Sequence, residues 1–378
     1  MKKESRALYL FLLGNRFYRL GEKTRALECY GRSVALVPTS AACWLNQGAV
    51  QQDLGNYHEA EAFYNKAITQ FEKLGDQLGI AMSLNSLGWL QHKRGNYDEA
   101  SKLYRRALKI QTKIGDRDGI AKTNGNLGII EKVKGNYDQA RKAFNMTRVI
   151  FEELGNQYEL ALCLNNLGAV EHATRNYEAA SRFYQQSLSM MRELEDYRRV
   201  TTTLRNLGDI ASAQDQLEEA VGFYNEAQQI STRLKDQSEI AEVLHSLGII
   251  EQNRHNYTKA KNLYEQSLQI RLRLDEKLGI AQTLHQLGNI EYFTGNYDQA
   301  QELYEKSLFL NRKLENRLGM ATSISQLANI AVRQGDVTSA EKLFEEALEI
   351  YRGLGRKEDI DIISNILERL HEKTSLDG

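Results

Sequence analysis
The sequence predicts an all-α fold: an α-solenoid of about nine helical hairpins closed by a C-terminal capping helix. Three observations predict it. A glycine column stands at Gly14, Gly48, Gly88, Gly128, Gly168, Gly208, Gly248 and Gly288, with Ala328 in the ninth place, and its spacing is 34 once and then 40. Twelve residues after each member stands an alanine (Ala26, Ala60, Ala100 through Ala340), and four beyond that an aromatic (Tyr30, Tyr64, Tyr104, Phe144 through Phe344). The chain of 378 residues holds a single proline, Pro38, so long helices go uninterrupted after the first, shorter unit.

Each element follows from these columns. Small and large apolar residues at three- and four-residue offsets share one helix face, so each unit reads as two helices packed face to face. Small residues allow close approach of the backbones, and the aromatic fills the space beside them. The phrase "RGNYDEA" around Gly95 reads as the turn inside a hairpin. There Gly95 takes the left-handed conformation, Asn96 caps the second helix, and Asp98 and Glu99 meet its positive end. Arg175, Asp215 and His255 replace this glycine and predict strained turns. The second break, "LGDQLGIA" from Leu74 to Ala81, ends one helix and lets Asp76 cap the next. The expected division is a repeat array over 1–356 (units near 7–40, 41–80, 81–120, 121–160, 161–200, 201–240, 241–280, 281–320 and 321–356). A capping helix over 357–373 and a disordered tail over 374–378 complete it. In the cap, Ile360, Ile363, Ile366, Leu367 and Leu370 form an apolar stripe, and Asp359, Asp361, Glu368, Arg369 and Glu372 a wet face.

At these residues the sequence resembles the tetratricopeptide repeat family, in the 40-residue-period form of bacterial and archaeal arrays and of Pins and kinesin light chain proteins. The resemblance spans about Ala7 to Leu354. It implies a right-handed superhelix with a concave groove that holds peptides or partner proteins. Two residues before the glycine column stand Asn46, Ser86, Asn126, Asn166, Asn206, Ser246, Gln286 and Gln326. The resemblance places this polar ladder in the groove, where carboxamides match the donors and acceptors of an extended backbone. Trp89, Lys122, Asn165, Arg205, Asp209, His245, His285, Asn289 and Tyr292 flank it. Lys122, Lys132 and Arg205 against Asp209 give a modest expected preference for acidic partners. A clamp for a carboxylate-terminated chaperone tail is disfavoured, since Asn15 and Asn46 match but Phe11, Met82 and Ser86 stand at the basic places.

Composition narrows the function. Net charge is −1, from 49 Lys+Arg against 50 Asp+Glu, which argues against a nucleic-acid partner. Three scattered cysteines favour a reducing, cytoplasmic setting over a disulfide framework or zinc site. The start "MKKESRALYLFLLGNRFYR" lacks a cleavage pattern and already lies in repeat register, so it reads as the first helix rather than a secretory leader, and no membrane insertion is expected. No phosphate loop, HExxH or GxSxG appears, "TNGNLG" (Thr123–Gly128) falls within a helix, and His245 with His285 lack a third metal ligand. No enzyme activity, metal or cofactor is expected. Leu8, Leu10 and Phe11 lie in an apolar run without a preceding polar cap, a candidate surface for a second copy through the N-terminal repeat. The expected function is a scaffold or adaptor binding another protein or peptide. The alternative is a ligand- or peptide-sensing module acting through a separate protein.

Overall fold
The computed structural model describes residues 2–376, with side chains through His371. Among the described residues all regular structure is helical, in nineteen helices. They fall into two compact units, Met1–Glu195 and Asp196–Gly378. The first unit holds five hairpins: α1 (Lys3–Arg19) with α2 (Lys23–Leu36), α3 (Ala41–Asp53) with α4 (Tyr57–Leu74), α5 (Gln77–Lys93) with α6 (Tyr97–Ile114), α7 (Arg117–Val133) with α8 (Tyr137–Leu154), and α9 (Gln157–Ala173) with α10 (Tyr177–Glu193). The second holds four: α11 (Tyr197–Ala213) with α12 (Leu217–Leu234), α13 (Gln237–Asn253) with α14 (Tyr257–Leu274), α15 (Lys277–Phe293) with α16 (Tyr297–Lys313), and α17 (Arg317–Gln334) with α18 (Val337–Leu354). The last helix, α19 (Lys357–Leu376), follows them. Breaks between hairpins fall near residues 75, 115 and 155, a few residues before the expected boundaries, because "GIA" belongs to the following helix.

The column geometry explains the repeat. A Cβ built on Gly168 would meet the Tyr184 ring at 2.7 Å, and on Gly208 the Tyr224 ring at 2.5 Å, and the same holds for the other glycines of the column. The aromatic of the second helix therefore rests on the backbone of the first, and Ala26, Ala60 and their equivalents are wholly buried beside it. Hydroxyls add a second tie: Ser33, Ser187, Ser267 and Ser307 donate to the carbonyls of Ala7, Ala161, Ala241 and Ala281 at 2.7–2.8 Å.

The turns adopt the expected left-handed glycines, Gly95 with φ 80°, and Arg175, Asp215 and His255 take the same conformation at 59°, 61° and 60°. Glu195, Lys235, Asp275 and Glu315 do so at the second break. Asn96 departs from its expected role. It sits at the N-cap position, but its side chain makes no capping bond and donates instead to Gln91 Oε1 at 2.8 Å, as Asn136, Asn176, Asn256 and Asn296 do to the glutamate five residues back. True side-chain caps occur at the second break, where Asp76 and Asp116 accept from Gly79 and Gly119.

In α19, Ile363, Leu367 and Leu370 are buried against α17 and α18, with Ile360 and Ile366 packed beside them. Glu372 and residues 374–376 of the tail expected to be disordered continue this helix, with side chains outside the described residues, and residues 377 and 378 lie outside them altogether. At the other end Leu10 is not a surface residue. It is 5% exposed within the first hairpin, and Phe11 is half-buried with its ring 6.0 Å from that of Tyr30. Of the three residues expected to mediate self-association only Leu8 is exposed, with Tyr9 and Leu12 as its neighbours.

Asn124 is the one amide in a leucine column (Leu84, Leu164, Leu204, Leu244), and its buried Nδ2 has no partner. A buried unpaired donor costs about 1–3 kcal/mol. We expect Asn124→Leu to raise the thermal midpoint by a corresponding amount; an unchanged or lower midpoint would show that the amide is satisfied. We also expect Gly168→Ala to destabilise by about 1–3 kcal/mol through overpacking. Gly125→Ala, where the nearest foreign atom is 3.7 Å from the added Cβ, should not. Paired denaturation curves of the two variants decide it.

Candidate functional site
Within each unit the first helices of successive hairpins also touch one another, α5 with α7 and α7 with α9 in one unit, α11 with α13 and α15 with α17 in the other. Their free faces line one side of each unit, and the ladder positions lie there, half-buried or exposed. The aromatic column reaches the same side: Tyr64 and Tyr264 hydroxyls donate to Gln52 and Gln252, those of Tyr30, Tyr224 and Tyr304 to Asn15, Asp209 and Asn289, at 2.7–3.0 Å. Sequence reasoning assigned these tyrosines to packing alone; their fixed offset from groove positions was the available signal. Tyr104, with Trp89 in the corresponding place, has a buried hydroxyl without a partner.

The ladder divides into two groups. Asn46 donates to Asn15 Oδ1 at 2.8 Å, Ser86 bonds back to the Met82 carbonyl at 3.2 Å, and Gln286 and Gln326 accept from Asn289 and Asn329. Among the described residues, the carboxamides of Asn126, Asn166 and Asn206 make no hydrogen bond, and all three are partly exposed. The first two lie in the first unit and the third in the second.

Among the flanking residues, Trp89 packs edge-on against Tyr57 at 6.5 Å with the Lys93 ammonium 5.2 Å from its ring, and Tyr292 accepts from Arg333 at 3.2 Å within a cluster of Phe293 and Tyr297. Asn165 engages a further partner. Two of the three cations behind the expected acidic preference are themselves ion-paired. Lys122 lies 2.8 Å from Asp118 and 3.9 Å from Glu159, and Arg205 donates to Glu239 at 3.1 Å beside Asp209, so these cations are matched by carboxylates outside the counted positions. Of these three cations only Lys132 has no ion-pair partner among the described residues, and burial holds its ammonium below the ordinary lysine range.

In the second unit a cavity of about 750 Å³ opens on this side, bounded by Arg205, Glu242, His245, His285, Asn311 and Leu318. His245 and His285 rest on Tyr264 and Tyr304, each at 5.3 Å, and burial lowers their pKa values to about 3 and about 4. His245 meets Thr283 Oγ1 at 3.3 Å, while the buried Nδ1 of His285 has no partner. Behind them Arg271 is wholly buried where Phe71, Phe151 and Met191 stand in other hairpins, 2.9 Å from Glu242, and desolvation pulls its pKa down. Among the described residues no group of three or more His, Cys, Asp or Glu is placed to hold a metal, and no helix is long and apolar enough to cross a membrane.

A family model described as tetratricopeptide repeat matches residues 40–113, 119–193, 199–273 and 279–353. The chain belongs to the tetratricopeptide repeat family. The tetratricopeptide fold is generally a non-catalytic interaction scaffold, and membership supports a protein-interaction module. Solved tetratricopeptide-type structures share its fold. Apo RapI aligns at TM-score 0.62 and 15% identity over 73% of this chain and 99% of its own. A Rap protein complexed with Competence and Sporulation Factor aligns at 0.57 and 15% over 89% and 99%. A signal transduction ATPase with numerous domains (STAND) and a tetratricopeptide repeat sensor, from Pyrococcus horikoshii, aligns at 0.68 and 14% over 96% of this chain and 55% of its own. The chain thus spans about half of that ATPase. A comparison with curated proteins finds no match.

The tetratricopeptide histidines supply a pH test. Their folded pKa values lie below the usual 6.5, so the unfolded chain binds more protons between about pH 4 and 6.5. Stability is complete above that window and falls as pH drops through it. We expect a loss of about 1–2 kcal/mol per histidine at pH 5. Melts at pH 7 and 5 on the wild type and a His245→Asn, His285→Asn double variant test this; equal pH dependence in both would refute it.

Proposed function
We propose that the protein binds an extended segment of another polypeptide along the first-helix face of its repeats. The observation that carries this reading is the pair of unbonded carboxamides at one register of the first unit, Asn126 and Asn166, with Asn206 at the same register of the second. An amide on a half-exposed helix face presents a donor and an acceptor together, which is what a peptide backbone offers in return. Side-chain identity then matters at the flanking positions, where Trp89, Tyr292 and the paired charges stand. The Rap protein complexed with Competence and Sporulation Factor shares this fold and supports the reading by analogy.

A second reading, a sensing module that answers to a ligand and acts through a separate protein, is favoured by the cavity of about 750 Å³ in the second unit and its unpartnered His285. The STAND ATPase named for a tetratricopeptide repeat sensor is consistent with it. Thermal stabilisation by a small molecule in the absence of any peptide distinguishes the two.

Asn126→Ala with Asn166→Ala removes two backbone-directed bonds, worth about 1–3 kcal/mol together. Against a labelled peptide selected from a random library by the wild-type chain, we expect Kd to rise roughly tenfold to a hundredfold with unchanged helicity. Unchanged affinity would move the binding site off this face.

A further inference from the structure
Three residues before the glycine column, two first helices carry a polar side chain that bonds to the next first helix. Asn85 and Thr123 bond at 2.8 Å, and His245 meets Thr283 Oγ1 at 3.3 Å. Asn165, Arg205 and His285 hold the same register. Between α7 and α9 both halves of this bridge are missing. Gly125 stands in the place of Asn or His, and Cys163 in the place of Thr, with its Sγ turned to the Phe144 carbonyl at 3.1 Å.

The consequence is a slot of about 310 Å³ in the first unit, walled by Ala121, Phe144, Thr147, Phe151, Leu162 and Cys163. Local packing does not require the glycine. A Cβ at position 125 would find Thr147 Cγ2 at 3.7 Å and nothing nearer, unlike the ring contacts under 3 Å at Gly128. Glycine also weakens a helix interior relative to alanine. Its place here keeps the slot open.

Two of the unbonded carboxamides, Asn126 and Asn166, border the slot, and at its rim Lys122 stands between Asp118 and Glu159, one cation against two carboxylates. An apolar recess flanked by backbone-type donors and acceptors fits one aliphatic side chain of an extended peptide. The acidic surplus favours a basic residue next to it and disfavours an acidic one. We propose that this slot is the specificity pocket of the first unit, taking a leucine-, isoleucine- or methionine-sized side chain from a peptide with an adjacent lysine or arginine. The proposal rests on the peptide-binding reading above and adds to it which side chain is read, and where.

The probe is a positional-scanning library of acetylated, amidated octapeptides, measured for binding to the full chain. The wild type should enrich Leu, Ile or Met at one position by about tenfold or more over Ala or Asp, with Lys or Arg enriched beside it. Gly125→Leu fills the slot and should abolish the aliphatic preference, while Gly125→Ala keeps it. Leu162→Trp closes the slot from its other wall and serves if Gly125→Leu does not fold. An unchanged preference in a folded slot-filling variant overturns the slot while leaving the groove reading intact, as does wild-type binding without any aliphatic preference. No binding by any peptide to the wild type ends the groove reading and the slot with it.

Discussion
The aromatic ring seated on a glycine, or in the ninth hairpin on Ala328, is the contact on which the hairpins depend. With ring carbons 2.5–2.9 Å from where a Cβ would stand on the eight glycines, the second helix lies against the first with no room for a side chain there, and only in the ninth hairpin does a methyl group, that of Ala328, take the place. This fixes the crossing of the two helices, and the crossing fixes which residues of the first helix face the core, the next hairpin or the open side. The alanine column completes it by burying only a methyl group opposite. Hydroxyls from Ser33, Ser187, Ser267 and Ser307 then tie the second helix to carbonyls of the first without adding bulk.

Because one contact sets the frame, departures from the repeat become local and readable. Asn124 Nδ2, in a leucine column, and Arg271 Nε and Nη1, where Phe71, Phe151 or Met191 stands in other hairpins, are buried without hydrogen-bond partners, yet the surrounding helices keep their register. Nearest-neighbour packing confines the cost of such residues to one junction. The same tolerance lets Gly125 and Cys163 open a slot and lets His245 and His285 fill the corresponding places in other hairpins. Diversity on the open face is therefore compatible with a uniform core, which is how a repeated scaffold acquires selective binding positions.

The carboxamides illustrate why position in a column does not by itself make a binding group. Asn46 is consumed by Asn15, and Gln286 by Asn289, whereas Asn126, Asn166 and Asn206 make no hydrogen bond among the described residues. The charges behave likewise, since Lys122 and Arg205 meet carboxylates from the following hairpin, Glu159 and Glu239. These cross-hairpin partners sit 31 to 37 residues away and are invisible to a reading of one column at a time.

The sequence by itself determined the repeat, the hairpin, the left-handed turns including those at Arg175, Asp215 and His255, and the capping stripe of Ile363, Leu367 and Leu370. Each of these is a consequence of short-range spacing and backbone preference. Only the tertiary structure decided that Asn96 bonds back to Gln91 rather than capping, that Leu10 belongs to the core while Leu8 and Leu12 face outward, which amides remain unbonded, and that the glycine at 125 opens space while the glycine at 128 accepts a ring. The physical reason is that backbone conformation is set within a turn of helix, whereas pairing, burial and free volume depend on what a neighbouring hairpin brings to the same point.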